Sequence, residues 1–222
     1  MRAEAVIIKF VVIDDHPLVR QSMETALNET FPSSIVMAYS SLEESLSCFN
    51  GSNVSHEPEG VWWVLMDLGL KGITGLAAIR VILSVEAKIK LITVSGNDDE
   101  LQVGACFGCG ATAFISKGAP VSESMTLIKT LVNNQQPKSR WLSANGYCNV
   151  KNIRQIQLTD RQIQVLSMIC EGKTNKDIAQ ALGITEITAK SHVGGIFKEL
   201  RVINRTQAVL VAQKLGIISA KY

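Results

Sequence analysis

Four short apolar runs in the first 117 residues each lead into a residue that carries a carboxylate, a hydroxyl or an ammonium group. Runs this short and this uniformly apolar predict strands that are buried on both faces of a parallel sheet. In such sheets the functional groups gather just outside the carboxyl ends of the strands. We therefore expect one cleft to contain the polar side chains that follow these runs, which are Asp14, Asp15, Asp67, Ser95 and Lys117.

Three of these side chains are carboxylates, which repel one another unless a cation lies among them. A hard ion that prefers oxygen ligands, such as Mg²⁺, is therefore implied at Asp14, Asp15 and Asp67. Taken singly, each residue has an ordinary interpretation: the acidic pair precedes Pro17 and fits the start of a helix, and Asp67 precedes Gly69 and fits a turn. Their common position at the same end of successive strands favours a functional site.

The order of strand and helix signals predicts the fold class. Strands and helices alternate up to about residue 134, and five such units predict a doubly wound α/β domain with a parallel five-stranded sheet. Only helical patterns occur after a polar segment, with a glycine between two of them as in a helix-turn-helix. We therefore expect an α/β domain at 1–134, a linker at 135–157 and a small four-helix, all-α domain at 158–222.

The element boundaries can be predicted in more detail. The linker contains Trp141 and Leu142, which we expect to pack on a domain. Four helices are predicted after it, at 159–170, 175–182, 186–200 and 205–215. Residues that favour helix starts are expected as N-caps, namely Asn97 or Asp98, Ser122, Thr159 and Asn175.

The formal net charge of +2 hides a division between the two halves of the chain. Residues 1–135 carry 9 Lys and Arg against 15 Asp and Glu, a net of −6, whereas residues 136–222 carry 13 against 5, a net of +8. This asymmetry favours two domains with different partners and makes the basic one the candidate for binding nucleic acid. A solvated basic face is the alternative that charge alone leaves open.

No segment has the pattern of an export signal or a membrane span. The apolar stretch from Ala5 to Ile13 is short, contains Lys9 and runs directly into the acidic pair. The five cysteines are odd in number and lack the spacing of a disulfide framework, so we expect reduced thiols. These features predict a cytoplasmic protein without a membrane partner.

The first part of the chain resembles the receiver domain of bacterial two-component response regulators. The matching segments are IDDHPLVR, VLMDLGLKGITGL, ITVSG and GATAFISKG, and their order and spacing both agree with that family. The resemblance implies that Asp67 accepts a phosphoryl group from the phosphohistidine of a sensor histidine kinase. It further implies that Asp15 and Asp67 hold Mg²⁺ directly, that Gly69 adds its backbone carbonyl and that Asp14 acts largely through water.

The same resemblance assigns roles to the later strands. Lys117 and Ser95 would contact the bound phosphoryl group, and Phe114 stands at the position of the switch aromatic, which turns inward as the Ser95 loop moves. One departure is Lys71, which stands where the family usually has proline. The loop after Asp67 is therefore expected to be less rigid.

The segment from Leu158 to Ala208 resembles the DNA-binding domain of LuxR/NarL-type regulators. In that family a four-helix domain inserts its third helix into the major groove, and the fourth helix contributes to a dimer. Periodicity alone is equally consistent with an ordinary core helix that has one solvated side. The NKDIAQALGIT pattern and the positive charge favour insertion into the groove.

Two sets of DNA contacts follow from this placement. The N-terminal half of such a helix normally meets base edges, which predicts base contacts from Thr188, Lys190 and Ser191. Phosphate contacts, which provide affinity without sequence choice, are predicted for Lys173, Asn175, Lys176, Lys198 and Arg205. The same region departs from the family at three places, with Gly194 and Gly195 inside the third helix, Gln162 for the usual Glu and Arg201 for the usual Gly.

These features together predict a response regulator that is not an enzyme. Phosphorylation of Asp67 is expected to free the recognition helix from the receiver and to promote a homodimer on double-stranded DNA. One alternative is a constitutive DNA-binding regulator whose receiver serves only dimerisation. Another is an aspartate-nucleophile phosphohydrolase, although such enzymes place the nucleophile after the first strand in a DxD arrangement and here Asp14 and Asp15 are adjacent.

Overall fold

The computed structural model describes residues 7–49, 61–72, 75–85, 88–137, 139–150 and 153–215. Its first five strands are β1 (Lys9–Ile13), β2 (Ile35–Tyr39), β3 (Trp62–Asp67), β4 (Ile89–Ser95) and β5 (Ala113–Ser116). They lie in the order β2-β1-β3-β4-β5, and every neighbouring pair is parallel. The predicted parallel α/β arrangement is therefore confirmed, whereas the polar loop predicted at 51–60 lies outside the described residues.

Helices cover both faces of this sheet. They are α1 (Pro17–Thr30), α2 (Leu42–Ser45), α3 (Gly75–Val85), α4 (Glu100–Gly108) and α5 (Val121–Val132). Alternate residues of β1 face opposite sides: Phe10 and Val12 pack in the cluster that contains residues of α1 and α5, while Val11 and Ile13 pack with α3 and α4. This burial on both faces explains why the strands appear in the sequence as unbroken apolar runs.

The predicted linker contributes two further strands to the sheet. They are β6 (Trp141–Ser143), which pairs parallel to β5, and β7 (Gly146–Cys148), which pairs antiparallel to β6. The prediction of an irregular linker was therefore wrong at these residues, although Trp141 and Leu142 do pack on the domain, with 7% and 0% of their surfaces exposed. Runs of three residues are too short for periodicity to reveal, and their pairing depends on the distant edge of β5.

Helices alone follow this hairpin. They are α6 (Asp160–Cys170), α7 (Asn175–Leu182), α8 (Glu186–Leu200) and α9 (Arg205–Lys214). The helix-turn-helix is α7 and α8, and Gly183 between them adopts the left-handed conformation that ends α7. The four predicted helices are confirmed to within one residue at each end.

The predicted helix caps were correct at Thr159 and wrong by one or two positions at the others. Thr159 caps α6 in a reciprocal arrangement with Gln162. Asp99 caps α4 in place of the expected Asn97 or Asp98, and Thr174 caps α7 in place of Asn175. Helix α5 begins at Val121, one position before the expected cap Ser122. Where several capping residues are adjacent, the sequence does not show which of them is the N-cap, because several side chains could accept the same N–H groups.

The helical domain packs against α3 and α4. Arg80 of α3 donates to the backbone carbonyl of Leu158 and pairs with Asp160, and Lys214 of α9 lies 2.9 Å from Asp99 at the start of α4. Both ends of the helical domain, α6 and α9, are thereby held to the same side of the α/β domain. The two parts share a continuous apolar core in this arrangement.

Two expectations from composition can be compared with the described residues. The five cysteines are all free thiols, as predicted, and burial raises the pKa of Cys106 to about 12. Within the described ranges, no helix is both long enough and apolar enough to span a bilayer.

Candidate functional site

The acidic cluster lies at the carboxyl edge of the parallel sheet. Asp14 follows β1, Asp67 ends β3, and each has only 3% of its surface exposed. Lys117 follows β5, and its Nζ atom lies 2.9 Å from Asp14 Oδ2 and 2.8 Å from Asp67 Oδ2. Strand pairing thus brings together groups that are far apart in the sequence, because parallel strands end at the same edge.

Lys117 acts as the internal counter-ion of this cluster. Burial alone would lower the pKa of its ammonium group, but the hydrogen bonds and charges of Asp67 and Asp14 raise that pKa above the ordinary value of lysine. The side chain therefore stays protonated at neutral pH. It offsets the repulsion between two buried carboxylates and leaves a donor beside Asp67.

The donor set around Asp15 fits a hard divalent cation. Asp15 Oδ1 is shielded from solvent, and His16 Nδ1 lies 2.9 Å from it. One donor atom from each of four side chains, those of Asp14, Asp15, His16 and Asp67, can be chosen so that all lie within 4.8 Å of one another. Three carboxylates at this spacing suit an ion that prefers oxygen ligands.

The backbone after Asp67 contributes to the same cleft. Gly69 N donates to Asp67 Oδ1 at 3.0 Å, which orients the carboxylate. A Cβ atom at Gly69 would lie about 3.5 Å from the carboxylate oxygens of Asp67, so a larger side chain there would cover that carboxylate. Lys71, which replaces the family's proline, places its Nζ atom 4.0 Å from Asp15 Oδ2 and is 91% exposed.

Ser95 and Phe114 lie on the neighbouring strands. Ser95 is buried at the end of β4, and its Oγ atom accepts hydrogen bonds from Asn97 N at 3.1 Å and from Gln102 Nε2 at 3.4 Å. Phe114 is fully buried, and its backbone N donates to Arg140 O beside β6. The aromatic ring expected to turn inward is thus already inside.

The predicted DNA-contacting residues lie on the basic domain, and most of them are accessible. Thr188, Lys190, Ser191 and Lys198 are exposed on α8, and Lys176 is exposed on α7. Ile187, on the same outer side of α8, has 83% of its surface exposed. In this arrangement the receiver contacts α6 and α9 and leaves the outer face of α8 accessible.

Three of the predicted contact residues also have structural partners. Arg205 is half-buried, and its Nη2 atom donates to the carbonyls of Ile169 and Lys173, which ties the start of α9 to the end of α6. Lys173 pairs with Glu171 at 2.9 Å. The hydroxyl of Thr188 lies 2.8 Å from that of Thr185, the N-cap of α8. Asn175 is half-buried at the first position of α7.

Three features of the site were not recognised in the sequence. His16 follows the acidic pair directly, Gln102 reaches Ser95 from α4, and Gly104 and Gly108 form a groove on α4. The spacing of the two glycines was the available signal, because residues four apart lie on one face of a helix. The histidine carried no signal beyond its position, since periodicity says nothing about where an exposed ring points.

Comparison with known proteins identifies the class to which this fold and site belong. The family model for the response regulator receiver domain matches residues 10–129, and the model for bacterial regulatory proteins of the luxR family matches residues 156–212. The chain is a response regulator with a receiver domain and a LuxR-type DNA-binding domain.

Individual relatives have the same two-part organisation along their length. The chain is 30% identical over 215 residues to the glycerol metabolism activator of Pseudomonas putida, covering 92% of this chain and 94% of that one. It is 27% identical to the transcriptional regulatory protein LiaR of Bacillus subtilis, covering 96% of this chain and 100% of LiaR. A structure of the Salmonella typhimurium response regulator RcsB is similar in fold, with a TM-score of 0.55 and 15% identity over 95% of this chain and 99% of that one.

Proposed function

We propose that this protein accepts a phosphoryl group on Asp67 from a sensor histidine kinase and thereby regulates its action as a DNA-binding transcriptional regulator. The observation that carries the proposal is the position of the Asp67 carboxylate, between the Lys117 ammonium and the Asp14–Asp15 pair at the carboxyl edge of the sheet. The N–P bond of the kinase phosphohistidine breaks as a bond from phosphorus to an Asp67 oxygen forms. The released imidazole stays with the kinase.

Asp15 and Asp67 would hold Mg²⁺ directly, with Gly69 adding its carbonyl and Asp14 acting largely through water. When bound, the ion would neutralise negative charge on the transferring phosphoryl oxygens. Lys117 donates to a further oxygen, and its raised pKa keeps it charged for that role. The proximity of the donor atoms of Asp14, Asp15 and Asp67 supports this assignment.

The response to phosphorylation would begin at Ser95. Its hydroxyl donates to the new phosphoryl group, which changes its contacts with Asn97 and Gln102. Gln102 lies on α4, the helix against which the linker and α9 pack. We therefore propose that the phosphoryl group acts on the contacts of α4, with Phe114 already inside, and so on the freedom of the helical domain to dimerise.

The acceptor can be tested by mass. Wild type and Asp67→Asn are incubated with Mg²⁺ and a small-molecule phosphodonor, and the intact mass of each is measured. We expect one labile phosphoryl adduct on the wild type and none on the variant. Equal adducts on both proteins, or a lack of adduct on wild type with cation binding confirmed, would exclude Asp67 as the acceptor.

Double-stranded DNA is the proposed partner of the helical domain, and we propose that the protein acts in the cytoplasm, where a bacterial regulator of the luxR family meets its DNA. Thr188, Lys190 and Ser191 are proposed to contact base edges from the exposed half of α8. Lys173, Asn175, Lys176, Lys198 and Arg205 are proposed to contact phosphates. The net charge of +8 over residues 136–222 supports this assignment, and a homodimer would bind two half-sites.

Base and phosphate contacts predict different mutant behaviour. Lys176→Ala should weaken binding to all sequences and reduce the salt slope by about 0.9, because one fewer counter-ion is released. Lys190→Ala should instead lower the discrimination between a selected site and scrambled DNA. The difference between the two binding free energies should fall by about 1–3 kcal/mol. If Lys190→Ala weakened both DNAs equally, its assignment to a base contact would be wrong.

One observation favours a second candidate, a constitutive DNA-binding regulator whose receiver serves only dimerisation. The outer face of α8 is accessible while the helical domain is packed against the receiver. The two candidates differ in the response of DNA binding to the phosphodonor: regulation requires a change in affinity or stoichiometry that Asp67→Asn abolishes. Neither candidate acts on a separate substrate, so we propose no enzymatic activity.

A further inference from the structure

We propose that Ile187 makes this protein prefer thymine at one position of its DNA site, because its side chain packs against the thymine C5-methyl group in the major groove. The inference rests on the proposed function, since it requires α8 to lie in that groove, and it adds a specificity-determining residue. The base contacts proposed above are made by polar side chains. Ile187 recognises a different feature of the DNA, the methyl group that only thymine presents on its major-groove edge.

Ile187 lies on the face of α8 that carries two of the proposed base contacts. It is in the first turn of the helix, and Lys190, Ser191 and Gly194 follow it on the same helix. Their spacing of three, four and seven positions places these residues on one face. Because side chains of a helix point back toward its N-terminus, Ile187 stands at the leading end of that face, which normally meets base edges.

The side chain of Ile187 is directed away from the protein core. It has 83% of its surface exposed, whereas Ala189 and Ile196 of the same helix are buried. A single exposed apolar side chain is common on protein surfaces and indicates nothing by itself. Ile187 differs in its position, because the surface around it is the one that the DNA is proposed to cover. Contact with a methyl group there removes apolar surface of both partners from water, which is favourable.

The neighbouring side chains of the first turn are less suited to that contact. Glu186 carries a carboxylate, which accepts hydrogen bonds and repels phosphates. Thr188 has a methyl group of its own, but it lies about 100° around the helix from Ile187. Its hydroxyl is 2.8 Å from that of Thr185, the N-cap, and this contact ties the side chain to the helix end. Ile187 is therefore the apolar group that this turn presents on the contact face.

Gly194 makes the same face accessible to the bases. A Cβ atom at Gly194 would have no neighbour within 4 Å among the described residues, so no other part of the described protein fills the space beside the helix there. The backbone of α8 can therefore approach the DNA closely at this position. Close approach favours contacts from short side chains in the preceding turns, and a branched side chain as short as that of Ile187 requires it.

Replacement of thymine by uracil tests the inference directly, because uracil lacks only the methyl group and keeps the O4 acceptor. A site is first selected from random-sequence duplex DNA with the full-length wild type, in the presence of Mg²⁺ and the phosphodonor. Each thymine position of that site is then replaced in turn, and the affinity of every duplex is measured for wild type, Ile187→Ala and Ile203→Ala. Ile203→Ala is the matched control, since Ile203 is 84% exposed and lies outside α8.

The expected result is a uracil penalty that depends on Ile187. Wild type and Ile203→Ala should lose affinity by about fourfold at one thymine position of each half-site, as for the loss of one buried methyl group. Ile187→Ala should bind the thymine and uracil duplexes equally, whereas Ile187→Val, which keeps both branches at Cβ, should retain most of the penalty. Because Ile187 is exposed, these substitutions leave the core intact.

A selected site without a uracil penalty at any position would overturn the inference. A penalty that persists in Ile187→Ala would also overturn it and would assign the methyl contact to another side chain, such as Thr188. Both results leave the proposed function standing, because the wild type still selects a site and phosphorylation of Asp67 is measured separately by intact mass. Conversely, a wild type without a phosphoryl adduct whose uracil penalty depends on Ile187 would overturn regulation by phosphorylation and leave the thymine contact in place.

Discussion

At the scale of single residues, the charge balance of the acidic cluster depends on Lys117. Replacing it with alanine leaves Asp14 and Asp67 buried without their shared cation, so we expect a loss of about 2 kcal/mol in unfolding free energy in EDTA. The loss is smaller than for a fully buried pair, because the Lys117 side chain retains 21% exposure. Saturating Mg²⁺ should restore most of it. Urea unfolding with and without Mg²⁺ measures the loss of unfolding free energy and its recovery. Lys129→Ala on the surface of α5 is the control. Equal losses in the two lysine variants would contradict this account.

Arg201 has a strained backbone conformation. It ends α8 in the left-handed conformation, with φ of 54°, which glycine adopts more readily than any other residue. A side chain in this conformation costs about 1–2 kcal/mol, so Arg201→Gly should stabilise the helical domain by about 1 kcal/mol. Arg201→Ala removes the same charge and keeps the strain, and it should not stabilise. The urea midpoints of the two variants distinguish backbone strain from charge. If both variants were more stable than wild type, removal of the charge would explain the gain in stability.

At the scale of elements, the β6–β7 hairpin belongs to the receiver. Leu142 is fully buried against it, and Arg140 O accepts the backbone N–H of Phe114 on β5. A fragment that ends at Asn134 should therefore be less stable than one that ends at Val150, by about 3 kcal/mol or more. It should also associate with increasing concentration, because the edge of β5 is left unpaired. Urea unfolding and size-exclusion chromatography at several concentrations test this; two fragments with the same midpoint would show that the hairpin is only a linker.

The elements that could be predicted are those whose signal is local. The apolar runs of β1 and β3 and the spacing of α6 to α9 depend on residues within one element, and the polar residues after the strands indicated the cleft because parallel strands share an edge. Strand β6 was not predicted, because its apolar run is short and its partner, β5, is distant in the sequence. The direction of the His16 ring and the exposure of α8 depend on packing between elements, for which no single segment carries a pattern.

At the scale of the whole molecule, α4 joins the proposed phosphorylation site to the helical domain. Gln102 on its inner side contacts Ser95, and Asp99 at its start pairs with Lys214 of α9. The linker lies on its glycine face, where Ile156 N donates to Gly104 O at 3.3 Å. A displacement of α4 would therefore change its contacts with Ser95, with the linker and with the helical domain together. Because the outer face of α8 is already accessible, such a displacement would control the pairing of two domains on DNA.

The glycine face of α4 provides the most direct test of this coupling. A Cβ atom at Gly104 would lie 2.2 Å from Arg154 O, so Gly104→Ala must displace the linker, while alanine in a helix favours α4 itself by about 1 kcal/mol. We expect a larger radius of gyration by small-angle X-ray scattering, faster proteolysis of residues 149–157 and tighter dimeric binding to DNA without a phosphodonor. Gly108→Ala should act in the same way, because its Cβ atom would lie 2.1 Å from Ile156 O. Gly96→Ala is the matched control, since a Cβ atom there has no neighbour within 4 Å among the described residues. If Gly104→Ala kept the compact radius and the protease resistance of wild type, the linker would not be held by this face and the coupling would have to run through Asp99 and Lys214 alone.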